Sequence, residues 1–289
     1  MTGRIRIATP SDVFAISEWT RDTFPWGDYI PYVLERWIAD ETGRVFVGEV
    51  DGTVVAMGRV GMLGPDEAWA QGMRVHPDHR RQGHGLRITN ALSTWATEQG
   101  AKVIRLSVET WNTSAQAQVE AAGFRPVSDW VHAVRAVGES SPVPAGNGGK
   151  RVPPAERLRV AHSAEADAAY MSWMGGELAR AARNLIQIDW RWQRLSLEVL
   201  TVAARDMGLL EGRPGWAIFE IDETEFLVHW LETGPSDARA MVLALVDKAA
   251  ESGAETVGIM IPAVAWLERE LKRLGFDPTH PNTVWAKAL

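Results

Sequence analysis

The two halves of the chain open with the same pattern, and this repeat limits most strongly what the chain can fold into. Residues 5–8 read Ile-Arg-Ile-Ala and lead through a polar turn to a helical pattern near Trp19, while residues 158–161 read Leu-Arg-Val-Ala and lead likewise to Trp173. A late helix followed by Gly-Phe also occurs twice, at Gly123-Phe124 and Gly275-Phe276. The openings are 153 positions apart and the Gly-Phe pairs 152. Nearly equal offsets indicate a duplication, so we expect two units of similar fold.

The composition shows where the two units separate. Residues 136–156 are dense in Gly, Pro and Ser and have no hydrophobic periodicity, which is typical of an exposed linker. We therefore predict a first domain at residues 1–137, a linker at 138–156 and a second domain at 157–289. The 289 residues give each domain roughly 140, an ordinary size for one hydrophobic core.

Charge, hydropathy and cysteine content exclude several classes of protein. The formal net charge is −7 with both signs interspersed, which argues against a nucleic-acid partner. No apolar run approaches the roughly 18 residues that span a bilayer, so we expect no membrane partner. The first residues lack the pattern of a secretory signal, which predicts a cytoplasmic protein. For its oligomeric state, both a monomer and a homodimer stay open. Because the chain has no cysteine, disulfides and a cysteine nucleophile are excluded.

The first unit has the pattern of an α/β domain whose sheet begins antiparallel. Two apolar stretches flank Asp51-Gly52, the strongest short signal for a β-hairpin. An amphipathic helix ends just before Gly100, a candidate left-handed cap. The predicted elements are strands at 44–50, 53–62 and 68–75, a helix at about 85–98, a strand at 103–108, a helix at 114–122 and a strand at 124–135.

The loop before that amphipathic helix has the composition of an anion site. Residues 75–86 read Val-His-Pro-Asp-His-Arg-Arg-Gln-Gly-His-Gly-Leu. Gly83 and Gly85 allow positive φ and bring bare N–H groups close to a ligand, and the helix directs its positive dipole end to the same point. Arg80 and Arg81 add positive charge, so a pyrophosphate is the ligand that suits the loop best. Taken alone, the pattern also fits a glycine-rich turn with solvated arginines.

The residues around this loop resemble a known family. Val75 and Pro77 precede the loop, and Asn112, Ala115 and Gly123-Phe124 follow the next strand. Over residues 4 to about 135 the chain resembles the GNAT superfamily of acetyl-CoA-dependent N-acetyltransferases, whose signature is V-x-P-x-x-R-x-x-G-x-G, then N-x-x-A, ending in G-F. The resemblance implies an α/β (α+β mixed sheet) fold of two tandem GNAT-like domains, each a mostly antiparallel sheet that is splayed in the middle and flanked by helices.

The resemblance also implies acetyl-CoA as a co-substrate. In that family the loop binds the coenzyme A pyrophosphate through backbone amides, and the preceding strand pairs with the pantetheine arm. A backbone N–H near Met73 would polarise the thioester carbonyl where the sheet splays. The cofactor-binding residues implied by motif position are Met73, Arg74 and Val75 at the pantetheine, Arg80, Arg81, Gln82, Gly83, His84, Gly85 and Leu86 at the pyrophosphate, and Asn112 near the pantetheine.

The implied reaction is direct attack of an amine on the thioester, with which the absence of cysteine agrees, but two familiar groups are missing. The tyrosine that protonates the leaving thiolate in the family is replaced by Val119. Positions where a carboxylate often acts as general base hold Trp69, Gln71 and Ser107. We predict Glu109 as the base and Tyr29 as the proton donor, against the alternatives that both are solvated surface or lid residues or that a water chain replaces them.

The seven histidines give no metal site, because His76 and His79 stand beside Pro77 with no further ligand at metal-binding spacing. The second unit has the outline of the first, with strands at 216–221, 225–231, 256–261 and 284–289 and helices at 238–252 and 263–274. It lacks the Arg-x-x-Gly-x-Gly loop, so we expect a degenerate copy that covers sheet edges or helps to wall the acceptor pocket through His229 or Trp230.

We therefore predict transfer of an acetyl group from acetyl-CoA to a primary amine of a small molecule. The Trp-rich segment 23–37 and Trp111 are expected to shape the acceptor site. Two alternatives stay open. An open, shallow groove would favour acetylation of a protein or peptide, and the missing tyrosine and carboxylates would fit a non-catalytic acyl-CoA sensor.

Overall fold

The computed structural model describes residues 3–25, 27–138 and 157–289, and the chain divides into two compact units. The first contains Met1–Pro126 and Val284–Leu289, and the second Val127–Thr283. This division differs from the predicted boundary at residue 137, because strand residues beyond Pro126 pair within the second unit and the last residues of the chain belong to the first. Residues 139–156, nearly all of the predicted linker at 138–156, lie outside the described residues.

The first unit is a sheet with helices on both faces. Its strands follow the order β1-β2-β3-β4-β5, with the end of the last strand of the chain, β14 (Asp277–Ala288), beside β5. The pairings from β1 to β4 are antiparallel, and β4 pairs with β5 in parallel. Its elements are β1 (Arg4–Ile7), α1 (Val13–Thr20), α2 (Ile30–Ala39), β2 (Gly43–Val50), β3 (Thr53–Met62), β4 (Glu67–Val75), α3 (His84–Glu98), β5 (Val103–Glu109), α4 (Thr113–Ala121) and the first residues of β6 (Arg125–Ala136).

Each face of this sheet has its own apolar core. Ile88 and Leu92 of α3 pack with Phe124 on one face, and all three are essentially buried. Ile16 of α1 and Leu34 of α2 cover the other face and are fully buried. The β2–β3 hairpin closes through Asp51-Gly52 with φ angles of 49° and 82°, both left-handed, as a two-residue turn requires.

The second unit has the same sheet pattern. Its order is β14-β6-β13-β12-β11-β10-β7, and β12 and β13 form a parallel pair like β4 and β5. The other pairings described are antiparallel. Its elements are β7 (Arg159–Ala161), α5 (Ala166–Gly175), α6 (Glu177–Ala181), β8 (Leu185–Ile188), β9 (Arg191–Arg194), α7 (Leu197–Asp206), β10 (Leu209–Gly212), β11 (Gly215–Asp222), β12 (Glu225–Glu232), α8 (Ala238–Ser252), β13 (Thr256–Pro262), α9 (Ala265–Arg273) and β14 (Asp277–Ala288).

The mixed sheet flanked by helices confirms the predicted α/β fold class, with differences in the second unit. The last strand, expected at 284–289, begins at Asp277. The β8–β9 hairpin was not expected, because its turn residues, Asp189 and Trp190, take positive φ angles without a glycine. No helix within the described part of the chain is both long and apolar enough to cross a bilayer.

Candidate functional site

The loop between β4 and α3 contains a 3-10 turn and two residues with left-handed backbone conformation. His76 Nδ1 accepts a hydrogen bond from the Asp78 amide at 3.3 Å, and a 3-10 turn spans Pro77–His79. Arg81 and Gly83 then take positive φ angles of 60° and 79°. A Cβ at Gly83 would meet no described heavy atom within 4 Å beyond its chain neighbours. Glycine is therefore needed here for its backbone conformation rather than for close packing.

The amides of residues 81–86 have no hydrogen-bond partner among the residues that the structure describes. The Arg87 amide donates to the Gly83 carbonyl at 3.1 Å, so the amides of residues 83–86 are those that an α-helix leaves unpaired at its first turn, and those of residues 81 and 82 belong to the loop before it. Left-handed residues among such amides are typical of the backbone turns that bind anions. With the positive end of the helix dipole, this arrangement fits a phosphate or a pyrophosphate.

The side chains of the loop differ in exposure. Arg80 and Arg81 are exposed and add positive charge at the surface, whereas His84 is only 5% exposed. Burial, and then the positive charges of Arg87 and His79, lower the pKa of His84, so its ring is neutral at neutral pH. His84 can therefore offer its amide but no charge. The predicted loop residues are exposed at Arg80, Arg81, Gln82 and Gly83, buried at His84 and partly buried at Gly85 and Leu86.

The histidines of the loop contact one another edge to face. The ring centroids of His76 and His79 are 5.7 Å apart, and those of His79 and His84 are 6.1 Å apart. Within residues 3–25, 27–138 and 157–289, no three His, Asp or Glu side chains converge in a way that could hold a metal ion.

Strands β4 and β5 separate beside this loop. Their parallel pairing joins Glu67–Trp69 to Val103–Arg105, and no further pair of the two strands is described. Both strands continue, to Val75 and Glu109, so a wedge-shaped gap opens between their carboxyl ends. This confirms the predicted splay in the middle of the sheet. Because Val75 runs directly into the loop, the gap and the loop amides lie along one continuous edge.

A β-bulge at Gly72 interrupts β4 next to the gap. Arg59 of β3 pairs with Gln71, and Met57 pairs with Arg74, so β4 has one residue more than β3 between these pairs. Gly72 has a φ angle of 68°, and a Cβ there would lie 2.6 Å from a ring atom of Trp37. The position therefore requires glycine both for its backbone conformation and for the space beside the indole.

The bulge changes which face of the sheet each later side chain of β4 occupies. Met73 and Val75 pack on the α3 side, against the core that contains Ala68 and Ala70. Strict alternation would have placed Arg74 there instead. Arg74 lies on the opposite face, where its Nε donates to Asp28 Oδ2 at 2.6 Å and its Nη2 donates to Oδ1 at 3.1 Å. The sequence motif placed Arg74 at the pantetheine site and gave no indication of the Asp28–Arg74 pair. The signal that could have indicated it is Gly72, a glycine inside a predicted strand.

The two residues predicted to transfer protons lie in the same region. Tyr29 directly precedes α2 and is 47% exposed, and Glu109 ends β5 at the gap. The pKa of Tyr29 is raised, first because neighbouring protein groups desolvate its phenol although part of the residue is exposed. Arg74 lowers this pKa, and the carboxylates of Asp28 and Glu109 raise it. Burial lowers the pKa of Arg74, but the hydrogen bonds to Asp28 and the charges of Tyr29, Asp28 and Glu109 raise it above its ordinary value. These four side chains therefore form one electrostatic group.

Comparisons with known proteins show which family and which solved structures the chain is similar to. Residues 13–124 match the model of the acetyltransferase (GNAT) family. Residues 13–124 are a GNAT domain. Solved structures that share the fold of the full chain include the following three. A GCN5-related N-acetyltransferase from Sphaerobacter thermophilus is 16% identical, with 99% of this chain and 96% of that chain covered and a TM-score of 0.67. One from Kribbella flavida is 14% identical, with 100% and 72% covered and a TM-score of 0.52.

The third structure has a tandem arrangement. It is described as a tandem GNAT protein from the clavulanic acid biosynthesis pathway and is 15% identical, with 99% of this chain and 98% of that chain covered and a TM-score of 0.59. No curated protein matches the chain. At these identities the structures share the fold alone, and they confirm the expected tandem GNAT fold.

Several positions of the GNAT domain have an identifiable structural role. Val119, where the family's tyrosine was expected, is 4% exposed in the core. Trp69 is buried, and its Nε1 donates to Gln71 Oε1 at 3.1 Å. Asn112 caps α4, because its Oδ1 accepts from the Ala115 amide at 3.1 Å. The N-x-x-A spacing is thus the spacing of a helix N-cap to the third helical residue.

The tryptophans expected at the acceptor site have different environments. Trp37 is 8% exposed behind the Gly72 bulge, so it supports β4. Trp111, just after β5, is 53% exposed. Trp26 lies outside the described residues.

The second unit repeats the bulge and the splay of the GNAT domain. Its β12 has an extra residue at His229, since Ile218 pairs with Trp230 and Phe219 pairs with Val228. The parallel pairing of β12 with β13 ends at Val228 and Ile259. These shared irregularities support the duplication expected from the sequence.

The loop of the second unit differs from that of the GNAT domain. Pro235 has no amide hydrogen, and Asp237 stands at the N-cap of α8 with its own amide bonded to the Gly234 carbonyl at 3.1 Å. A carboxylate at that helix end disfavours an anionic ligand. His229 and Trp230, expected as contributors to a pocket, are both buried. His229 Nδ1 lies 3.4 Å from Gln187 Oε1.

Proposed function

We propose that the chain is an acetyl-CoA-dependent N-acetyltransferase that acetylates the primary amine of a small molecule. The observation that carries the proposal is the row of unpaired amides at residues 81–86, which continues directly from the strand that borders the gap. Amides in that arrangement suit a diphosphate. The unpaired edge of β4 offers an extended chain, such as a pantetheine arm, a backbone to lie against. The family match supports acetyl transfer as the reaction.

The chain's own groups have separate tasks in this proposal. Acetyl-CoA, when bound, supplies the activated acetyl group as a thioester. The loop amides, with Arg80 and Arg81 beside them, hold the phosphates. Glu109 takes a proton from the acceptor ammonium, whose free pKa is about 10, and Tyr29 supplies a proton to the leaving group. Much of the rate then comes from holding the two reactants together.

The charges near the gap support a cationic acceptor. Asp28 and Arg74 neutralise each other through two hydrogen bonds. The Glu109 carboxylate is then the remaining charge of the electrostatic group around Tyr29. A protonated amine is attracted to that carboxylate, which also serves as its base.

A release assay for free thiol with a panel of small amines tests the proposal. The decisive variant is Gly83→Glu, which places a carboxylate among the loop amides. Gly100→Glu is the matched control, because Gly100 has a similar φ angle of 92°, also has open space around it, and follows the opposite end of α3. Like-charge repulsion of several kcal/mol should raise the KM for acetyl-CoA in Gly83→Glu about 100-fold, with the control within about threefold of the parent.

Two results would contradict the proposal. If Gly83→Glu keeps the parent's KM, the loop does not hold the phosphates. If acetyl-CoA binds but no amine releases thiol, the protein is a sensor rather than an enzyme.

A further inference from the structure

The Asp28–Arg74 pair is buried at the edge of the gap. The Asp28 side chain has no exposed surface, and that of Arg74 is 13% exposed. Two hydrogen bonds, at 2.6 and 3.1 Å, join the guanidinium to both carboxylate oxygens. Removing two charges from water costs several kcal/mol per ion before their attraction is counted. Well-packed apolar residues of similar volume often give a protein equal stability in place of a buried ion pair. Stability alone therefore does not explain the Asp28–Arg74 pair.

Besides its pair with Asp28, Arg74 contacts a backbone carbonyl and two aromatic rings. Its Nη1 donates to the Met73 carbonyl at 2.9 Å, which fixes the guanidinium against its own strand. Its central carbon lies 5.1 Å from the centroid of the Phe24 ring and 5.4 Å from that of Tyr29, both within cation–π range. The Gly72 bulge turns Arg74 to this face in the first place. The guanidinium therefore has a fixed position beside the Tyr29 ring.

Tyr29 is surrounded by a small set of charged groups. Arg74 of β4, Asp28 of the same segment and Glu109 at the end of β5 all act on its phenol. The Trp37 ring of α2 packs against it edge to face at 5.9 Å. With 47% of its surface exposed, Tyr29 is accessible to a ligand in spite of these contacts. Of the charged groups that act on the phenol, Arg74 is the cation, so it is the group that favours loss of the proton.

We propose that Asp28 and Arg74 are positioning residues that hold the Tyr29 phenol as the proton donor to the leaving thiolate, in place of the tyrosine that Val119 replaces. The inference rests on the proposed function. In the step, the bond from the acetyl carbon to sulfur breaks with its electron pair on sulfur as the bond to the amine nitrogen forms. The Tyr29 O–H bond breaks and its proton passes to that sulfur. Glu109 first passes one proton of the acceptor ammonium to solvent, and the attacking nitrogen loses a second proton to Glu109 as the new bond forms. Solvent then takes that proton from Glu109 and returns one to Tyr29.

Titration of Tyr29 in the free protein tests the positioning without any activity. The chain has three tyrosines, so replacement of Tyr32 and Tyr170 by Phe leaves Tyr29 as the source of the tyrosinate absorbance. In this background Arg74→Gln should raise the pKa of Tyr29 by about one unit, because the favourable charge is lost. Arg74→Lys, which keeps the charge, should restore most of the shift. Arg36→Gln removes an exposed cation of α2 and should leave the titration unchanged.

Kinetics give the second readout. Arg74→Gln should lower kcat about 100-fold, with the KM for acetyl-CoA within about threefold of the parent. In a Tyr29→Phe background the same change should have little further effect, because the group that Arg74 positions is gone. Effects that multiply, or a Tyr29 titration that Arg74→Gln does not move, would overturn the inference.

Unfolding of the variant and a lack of thiol release can each be told apart from failure of the inference. Arg74→Gln alone leaves Asp28 as a buried unpaired charge. If circular dichroism shows that this variant is unfolded, the double variant Asp28→Asn with Arg74→Gln is used instead. The titration should then shift in the same direction by a smaller amount, because the opposing charge of Asp28 is also lost, and no shift would overturn the inference. Absence of thiol release with every amine refutes the proposed function, while the titration still decides whether Arg74 controls Tyr29.

Discussion

Replacement of Gly72 by Ala tests whether the bulge in β4 is fixed by its surroundings. An alanine there must adopt a φ angle of 68°, which costs roughly 1–2 kcal/mol for a residue with a Cβ. The Cβ would also lie 2.6 and 3.0 Å from two ring atoms of Trp37 and 3.2 Å from Ile30. Both neighbours are buried in the α1–α2 core and have little room to move, so overpacking should add about 1–3 kcal/mol. The expected total loss in the free energy of unfolding is about 2–5 kcal/mol.

The control is Gly52→Ala in the β2–β3 turn. Gly52 has a φ angle of 82° but no described heavy atom within 4 Å of its Cβ position, so it should lose only the conformational part, roughly 1–2 kcal/mol. Urea unfolding followed by circular dichroism measures both variants against the parent. If the two variants lose the same stability, packing against Trp37 does not fix the bulge that directs Arg74 to its face of the sheet.

Two further predictions concern stability. Hydrogen bonds from Arg6 and Thr9 outweigh burial and lower the pKa of Asp12 to about 2 from 3.8, so its stabilisation is present above the ordinary value and is lost as the pH falls towards about 2. Asp12→Asn should therefore cost up to about 2 kcal/mol at neutral pH, and the difference from the parent should shrink across that acid range in urea titrations. Asn112→Ala should lower the melting temperature through loss of a cap worth about 1 kcal/mol, while Asn112→Asp, which also caps, should not; equal losses would count against the capping role.

Local signals in the sequence were sufficient for most of the GNAT domain. Asp51-Gly52 fixed the hairpin, Gly100 fixed the end of α3, and the strands and helices around the loop have bounds within one or two residues of those expected. These features depend on turn conformation and on periodicity, which neighbouring residues determine. The loop was found in the same way, because its glycines and the helix behind it are adjacent in the chain.

Features that depend on distant residues could not be predicted. The Asp28–Arg74 pair joins residues 46 positions apart and exists because a bulge shifts the alternation of β4 by one residue. The division of the chain at Pro126 and Val284 depends on the strands with which the two long strands β6 and β14 pair. No local sequence pattern determines that pairing. The β8–β9 turn uses Asp189 and Trp190 in a conformation that usually signals glycine.

A crystal structure with coenzyme A shows directly whether the loop before α3 holds the phosphates. We expect the two phosphates of the pyrophosphate within hydrogen-bond distance, about 3 Å, of the amides of residues 81–86, with the pantetheine arm along the free edge of β4. A pyrophosphate bound anywhere else, including at the α8 loop of the second unit, would contradict it.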